Sequence, residues 1–184
     1  MNADNPARGE LISWLERDEA ASRPHRADRL RLLLQEYGAG RTGFFYGGEI
    51  SWWAFEDATQ AYLHGLFLAC TIMCQVCLEH LLAGVFREAG RDDLDRATFE
   101  TLLRAARNEC LISEDEFTVF DRLRMLRNPY THPRAPTGKG SLTVRAVETD
   151  TPPQDLVVQD AEFAITALLR LCRRPPFALI GDNA

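Results

Sequence analysis

The chain has 184 residues, 46% of them apolar, and a formal net charge of -6. That length suits one domain with a sizeable core, and the acidic balance argues against a protein that coats nucleic acid non-specifically. Nothing at the N-terminus reads as a signal peptide. The most apolar run, residues 66–78, falls short of the roughly 18 residues a membrane span needs and ends at Glu79 and His80. The expectation is a cytoplasmic protein whose five cysteines, odd in number, are reduced thiols.

Residues 5–19 form the first expected helix, with Leu11, Ile12, Trp14 and Leu15 as its apolar side. Pro24 separates it from a second helix over 27–37, closed by Gly38-Ala39-Gly40. Residues 41–49 read as a loop or a short extended piece, and lack the Gly-Lys-Ser/Thr of a phosphate-binding loop. The largest element spans 52–90. Tyr62, Leu66, Ala69, Met73 and Val76 recur at helical spacing, and much of the remaining surface is also apolar. Such a helix is surrounded by others or lies at a subunit interface. Gly65 either kinks it or permits close packing.

A shorter helix covers 98–108. Ser113 and Glu116 then form a capping box that opens a helix with Phe117, Phe120, Leu123 and Leu126 inside. Residues 142–144 and 156–158 pair as a small hairpin or are plain loop, and the last helix runs from 159 to 174, stopped by Pro175-Pro176. The result is an all-α bundle of five or six helices.

Several clusters have a packing explanation. Cys70, Cys74 and Cys77 share one face of a strongly helical stretch, where small apolar side chains let helices approach; Cys110 and Cys172 are read as structural too. Trp52-Trp53 and Phe44-Phe45-Tyr46 are read as packing anchors. Glu79, between apolar neighbours, either faces a solvent seam or has an internal partner such as an arginine.

The stretch from Asp121 to Pro133 is different. From Arg122 to Arg145 the chain carries six basic residues (Arg122, Arg124, Arg127, Arg134, Lys139 and Arg145) and no acid. In an acidic chain this is a local positive field suited to a phosphodiester. Asn128 precedes Pro129, so a helix break is expected there, with Asn128 as N-cap and Pro129 opening a new turn that Pro133 ends after His132. On a continuous helix Arg127 and His132 lie about 140° apart; the break, or a second subunit, would bring them together. No His, Asp or Glu cluster has metal-ligand spacing, and no cofactor is expected.

Arg127-Asn128-x-x-x-His132 after an amphipathic helix resembles the signature of the HEPN superfamily (higher eukaryotes and prokaryotes nucleotide-binding domains). Asp121 stands where that family often has a carboxylate, and the apolar helix bearing Glu79 is similar to the one before its motif. The resemblance covers roughly residues 62–174. It divides the chain into an N-terminal helical extension, 1–50, packed on a HEPN-like domain, 51–184, in one compact body.

The resemblance implies a dimer whose Arg-His motifs face one cleft. Many members are metal-independent endoribonucleases; others are inert and bind nucleotides, RNA or protein partners. For an endoribonuclease, the ribose 2′-OH attacks phosphorus and leaves a 2′,3′-cyclic phosphate. His132 acts as base or acid, since imidazoles titrate near neutrality. Arg127 stabilises the phosphoryl oxygens, Asn128 binds phosphate or holds the turn, and Asp121 orients Arg127 or an incoming arginine. Arg122, Arg124, Tyr130 and Arg134 are the expected RNA contacts. A toxin–antitoxin or defence setting, with an antitoxin or regulatory protein as partner, is the biological context implied. The alternative is a catalytically inert, partner-, RNA- or nucleotide-binding regulatory dimer.

Overall fold

The computed structural model describes residues 8–37, 47–133 and 135–177. Among these residues the protein is all helix: α1 (Arg8–Tyr37), α2 (Gly48–His64), α3 (Phe67–Glu88), α4 (Phe99–Asn108), α5 (Glu114–Thr131), α6 (Leu142–Thr149) and α7 (Pro153–Leu171), with one 3-10 turn at Asp92–Leu94. Seven α-helices replace the expected five or six.

α3 is the centre of the bundle, packed against α2, α4, α5 and α7. Leu78, Leu81, Leu82 and Phe86 are fully buried, as expected of a helix that is apolar on most sides. α3 is also long and apolar enough to cross a bilayer, but 56% of that apolar stretch is buried against the other helices. Cys70, Cys74 and Cys77 are buried in it and share the core with Ala161, Ala164, Ile165 and Leu168 of α7. Burial pushes the Cys74 and Cys77 thiols up, which keeps them from nucleophilic or ligand chemistry. Cys110 differs: it is exposed, in a left-handed turn (φ 58°) after α4, and not part of the core.

The expected single element over 52–90 is two helices. Gly65 takes φ 78° and ends α2. Its N–H donates to the Tyr62 carbonyl (3.1 Å) and the Leu66 N–H to the Ala61 carbonyl (2.8 Å), a Schellman stop that glycine adopts without a Cβ penalty. α2 then folds back along α3. Its start is pinned at Gly47, where a Cβ would lie 2.5 Å from the His80 carbonyl oxygen. Trp52 packs partly on the core, whereas Trp53 is 61% exposed. Phe44, Phe45 and Tyr46, like the Gly38–Gly40 stop, lie outside the described residues.

At the N-terminus, two expected helices are one, because α1 runs through Pro24. Its second half docks on the bundle. Arg29 Nε donates to the Leu63 carbonyl (2.9 Å), Arg170 clasps Glu36 with two bonds of 3.0 Å, and Leu32, Leu33 and Tyr37 pack on the core. Its first half does not: Leu11, Ile12, Trp14 and Leu15, expected on a packed side, are 46–58% exposed.

The residues read as hairpin or loop are helical. Ser141 caps α6, accepting from the Val144 N–H (3.2 Å) and donating to the Pro136 carbonyl (2.6 Å). Pro153 sits in the first turn of α7, where its missing N–H costs nothing. α7 therefore starts before residue 159, and it ends at Leu171, ahead of the two prolines.

The capping box at Ser113 is present in both directions: the Glu116 N–H donates to Ser113 Oγ (3.1 Å) and the Ser113 N–H to Glu116 (2.8 Å). Glu116 also receives two bonds from Arg174 (2.8 and 2.7 Å). Burial alone would raise its carboxyl; the bonds from Arg174 and Ser113 outweigh it and hold the group below the ordinary range. A depressed folded-state value gives stability that is present above the unfolded value, near ~4.3, and is lost as pH falls through the folded one. Glu116→Gln is therefore expected to lower the melting temperature at pH 7 and to flatten its fall below about pH 4.3; scanning calorimetry from pH 2 to 7 checks both.

Candidate active site

α5 carries the motif. Phe120 and Leu123 fix one side of it in the core, which places the Arg127–His132 segment at its far end. The expected break is not there: α5 continues through Asn128 and Pro129 to Thr131. Proline withdraws only the N–H that would have bonded the Met125 carbonyl. Asn128 is accordingly a helical residue, not an N-cap, and its carbonyl accepts the His132 N–H (3.1 Å). His132 caps the helix in extended conformation (φ −122°, ψ 128°), as a residue before proline must.

His132 is exposed and lines a cavity of about 450 Å³ with Pro129, Tyr130, Thr131, Ser141 and Thr143. The N-terminus of α6 opens onto this cavity, adding the partial positive charge and amide donors of a helix start. Arg127 does not line it. The continuous helix leaves Arg127 and His132 about 140° apart, so one chain does not bring them together. Arg127 is half-buried, and its buried Nε has no hydrogen-bond partner among the described residues.

The other expected site residues are engaged. Asp121 accepts from Arg124 Nε and Nη2 at 2.8 Å each, so its arginine is Arg124 and not Arg127. Arg124 also lies 3.5 Å from Glu100 of α4; these acids neutralise a residue expected to meet RNA. The Arg122 guanidinium stacks on Phe163 of α7 at 4.2 Å. Arg134 lies outside the described residues. Tyr130 does not present its hydroxyl to solvent but donates it to Asp160. Burial first, and then this bond, push its phenol far up. Glu79 is half-buried, and its internal partner is Gln75, one turn earlier (3.3 Å), not an arginine.

Asp160 is the residue that sequence reasoning missed. It is 2% exposed and takes two bonds of 2.7 Å from Arg145 as well as the Tyr130 hydroxyl. It thereby ties the end of α5, the middle of α6 and the first half of α7 into one network behind the cavity. Its signal was available: a lone carboxylate four residues after Leu156 and four before Ala164, on the apolar side of α7. Among the described residues no group of three His, Cys, Asp or Glu is placed to hold a metal.

No protein-family model, curated protein or solved structure matches the chain.

Proposed function

We propose that the chain is a HEPN-type protein that cleaves RNA without a metal, through attack of the ribose 2′-OH and release of a 2′,3′-cyclic phosphate. The observation that carries the reading is the pairing of an exposed His132 in a cleft beside a helix N-terminus with an Arg127 whose buried Nε is uncommitted among the described residues. A phosphate in the cleft would meet the α6 amides and the imidazole. His132 takes the 2′-OH proton or supplies one to the leaving oxygen, and an arginine neutralises the phosphoryl oxygens. Because α5 is unbroken, that arginine comes from a second copy, so the working unit is a dimer with two motifs at one cleft. Asn128 holds the turn through its carbonyl. The setting proposed is defence or a toxin–antitoxin pair.

The same unbroken α5 favours a second reading for the isolated chain: an inert module that binds RNA, a nucleotide or a protein partner, with Arg127 and His132 structural. The two readings separate in one assay. Parent, Arg127→Ala and His132→Ala proteins are incubated with defined RNA in EDTA. The nuclease reading expects cyclic-phosphate ends from the parent and rates about 100-fold lower or less from each variant. Equal cleavage by all three, cleavage that needs a divalent ion, or loss of melting temperature in place of rate, overturns it.

A further inference from the structure

Among the described residues, no other helix packs against the first half of α1, a helical arm. Every residue from 8 to 21 is exposed, and α1 first meets the bundle near Arg29, whose side chain reaches the Leu63 carbonyl and Phe67. From Arg8 to Pro24 the arm is about 25 Å long at ~1.5 Å per residue. The arm carries Leu11, Ile12, Trp14 and Leu15 at 48%, 46%, 57% and 58% exposure. Together they leave roughly 450 Å² of apolar side chain in one patch, the size of the largest patch on a typical monomer, which is often functional.

The pattern of charge says what covers it. Arg8, Leu11, Leu15 and Asp18 follow one another at spacings of three, four and three, a single coiled-coil seam. Ile12 and Trp14 flank that seam on either side. Laid antiparallel on a second copy about a two-fold axis level with Ser13, Leu11 faces the partner's Leu15, and Arg8 faces the partner's Asp18. Each pair occurs twice. A parallel pairing would set Arg8 on Arg8 and Asp18 on Asp18. Two such arms remove roughly 900 Å² of apolar surface, and with their polar flanks reach the ~1,200 Å² of a small stable interface.

We infer that the α1 arm is a self-association element, pairing antiparallel with the arm of a second copy of this chain. The inference rests on the arm alone and stands or falls independently of RNA cleavage.

Sedimentation equilibrium of the full chain from 1 to 100 μM tests it. Leu11→Glu with Leu15→Glu is expected to halve the mass of the associated species. Arg8→Asp places like charges at both ends of the seam and is expected to weaken association roughly fivefold to tenfold; adding Asp18→Arg restores it, because both pairs re-form with reversed signs. All four side chains are exposed, so the variants leave the core intact, which circular dichroism verifies. Equal masses for parent and double-glutamate variant at every concentration overturn the inference. So does association unchanged by Arg8→Asp, or weakened and not restored by the second change; either result assigns the patch to a different protein or a lipid surface.

Discussion

Asp160→Ala is expected to destabilise the protein by about 3 kcal/mol, a loss of roughly 6–12 °C in melting temperature. Removing one member of a buried ion pair typically costs about 3–5 kcal/mol, because the partner charge stays desolvated and unpaired. The lower end applies here: the Arg145 side chain keeps 19% of its surface in water and so recovers part of its hydration. Tyr130 loses its acceptor in the same step. Tyr130→Phe removes one hydrogen bond without stranding a charge and is expected to cost about 1 kcal/mol. Urea denaturation of the three proteins measures these differences. A cost below about 1 kcal/mol for Asp160→Ala would mean that Arg145 swings to solvent, and that the network does not bind α5, α6 and α7 together.

The second large effect concerns chain number at the site. With His132 in the cavity and Arg127 outside it on the same continuous helix, the nuclease reading needs residues from two copies. Two differently tagged chains, one His132→Ala and the other Arg127→Ala, are co-expressed, and the mixed dimer is isolated through both tags. In the shared cleft of that dimer, one His–Arg combination joins the intact His132 of one copy with the intact Arg127 of the other, while the second combination has neither. The expected rate is about half that of the parent, from one working site of two. Either variant as a homodimer falls about 100-fold or more. A mixed dimer as inactive as its parents would remove the two-chain site and with it the mechanism proposed above.

Much of the helical order was legible in the sequence, since it follows from local rules. Ser113 with Glu116 gave the start of α5, and the apolar surface around Leu78 and Leu82 gave the central helix; the end of α5 is expected at Asn128, whereas the helix runs on to Thr131. What failed did so where a tertiary contact overrode a local preference. Pro24 and Pro129 both read as breaks, yet α1 and α5 run through them, each giving up one backbone bond. The β-branched residues of α6 suggested a strand; the cap at Ser141 and the pair between Arg145 and Asp160 hold them in a helix instead. Gly65 was noticed, but periodicity carries across a tight turn, so the reversal between α2 and α3 went unseen.

For the candidate site, sequence located the segment but not the wiring. Asp121 lies three residues from Arg124 and six from Arg127, and on a helix the three-residue pair meets. A carboxylate on an apolar helix face needs a partner, and this holds more strongly for Asp160, 2% exposed, than for the half-buried Glu79. Glu79 meets Gln75 of its own helix; Asp160 is buried and meets Tyr130 of α5 and Arg145 of α6.

The short α6 has no buried residue. It is attached to the bundle through the Arg145–Asp160 pair and the cap at Ser141. Its opening therefore exposes little apolar surface, and its cost is set by the Arg145–Asp160 pair, below the cost of parting α3 from α7. The wall of the His132 cavity thus hangs on one ion pair, while the core is held by apolar packing. A rigid backstop and a yielding front are separate thermodynamic units in the same small bundle.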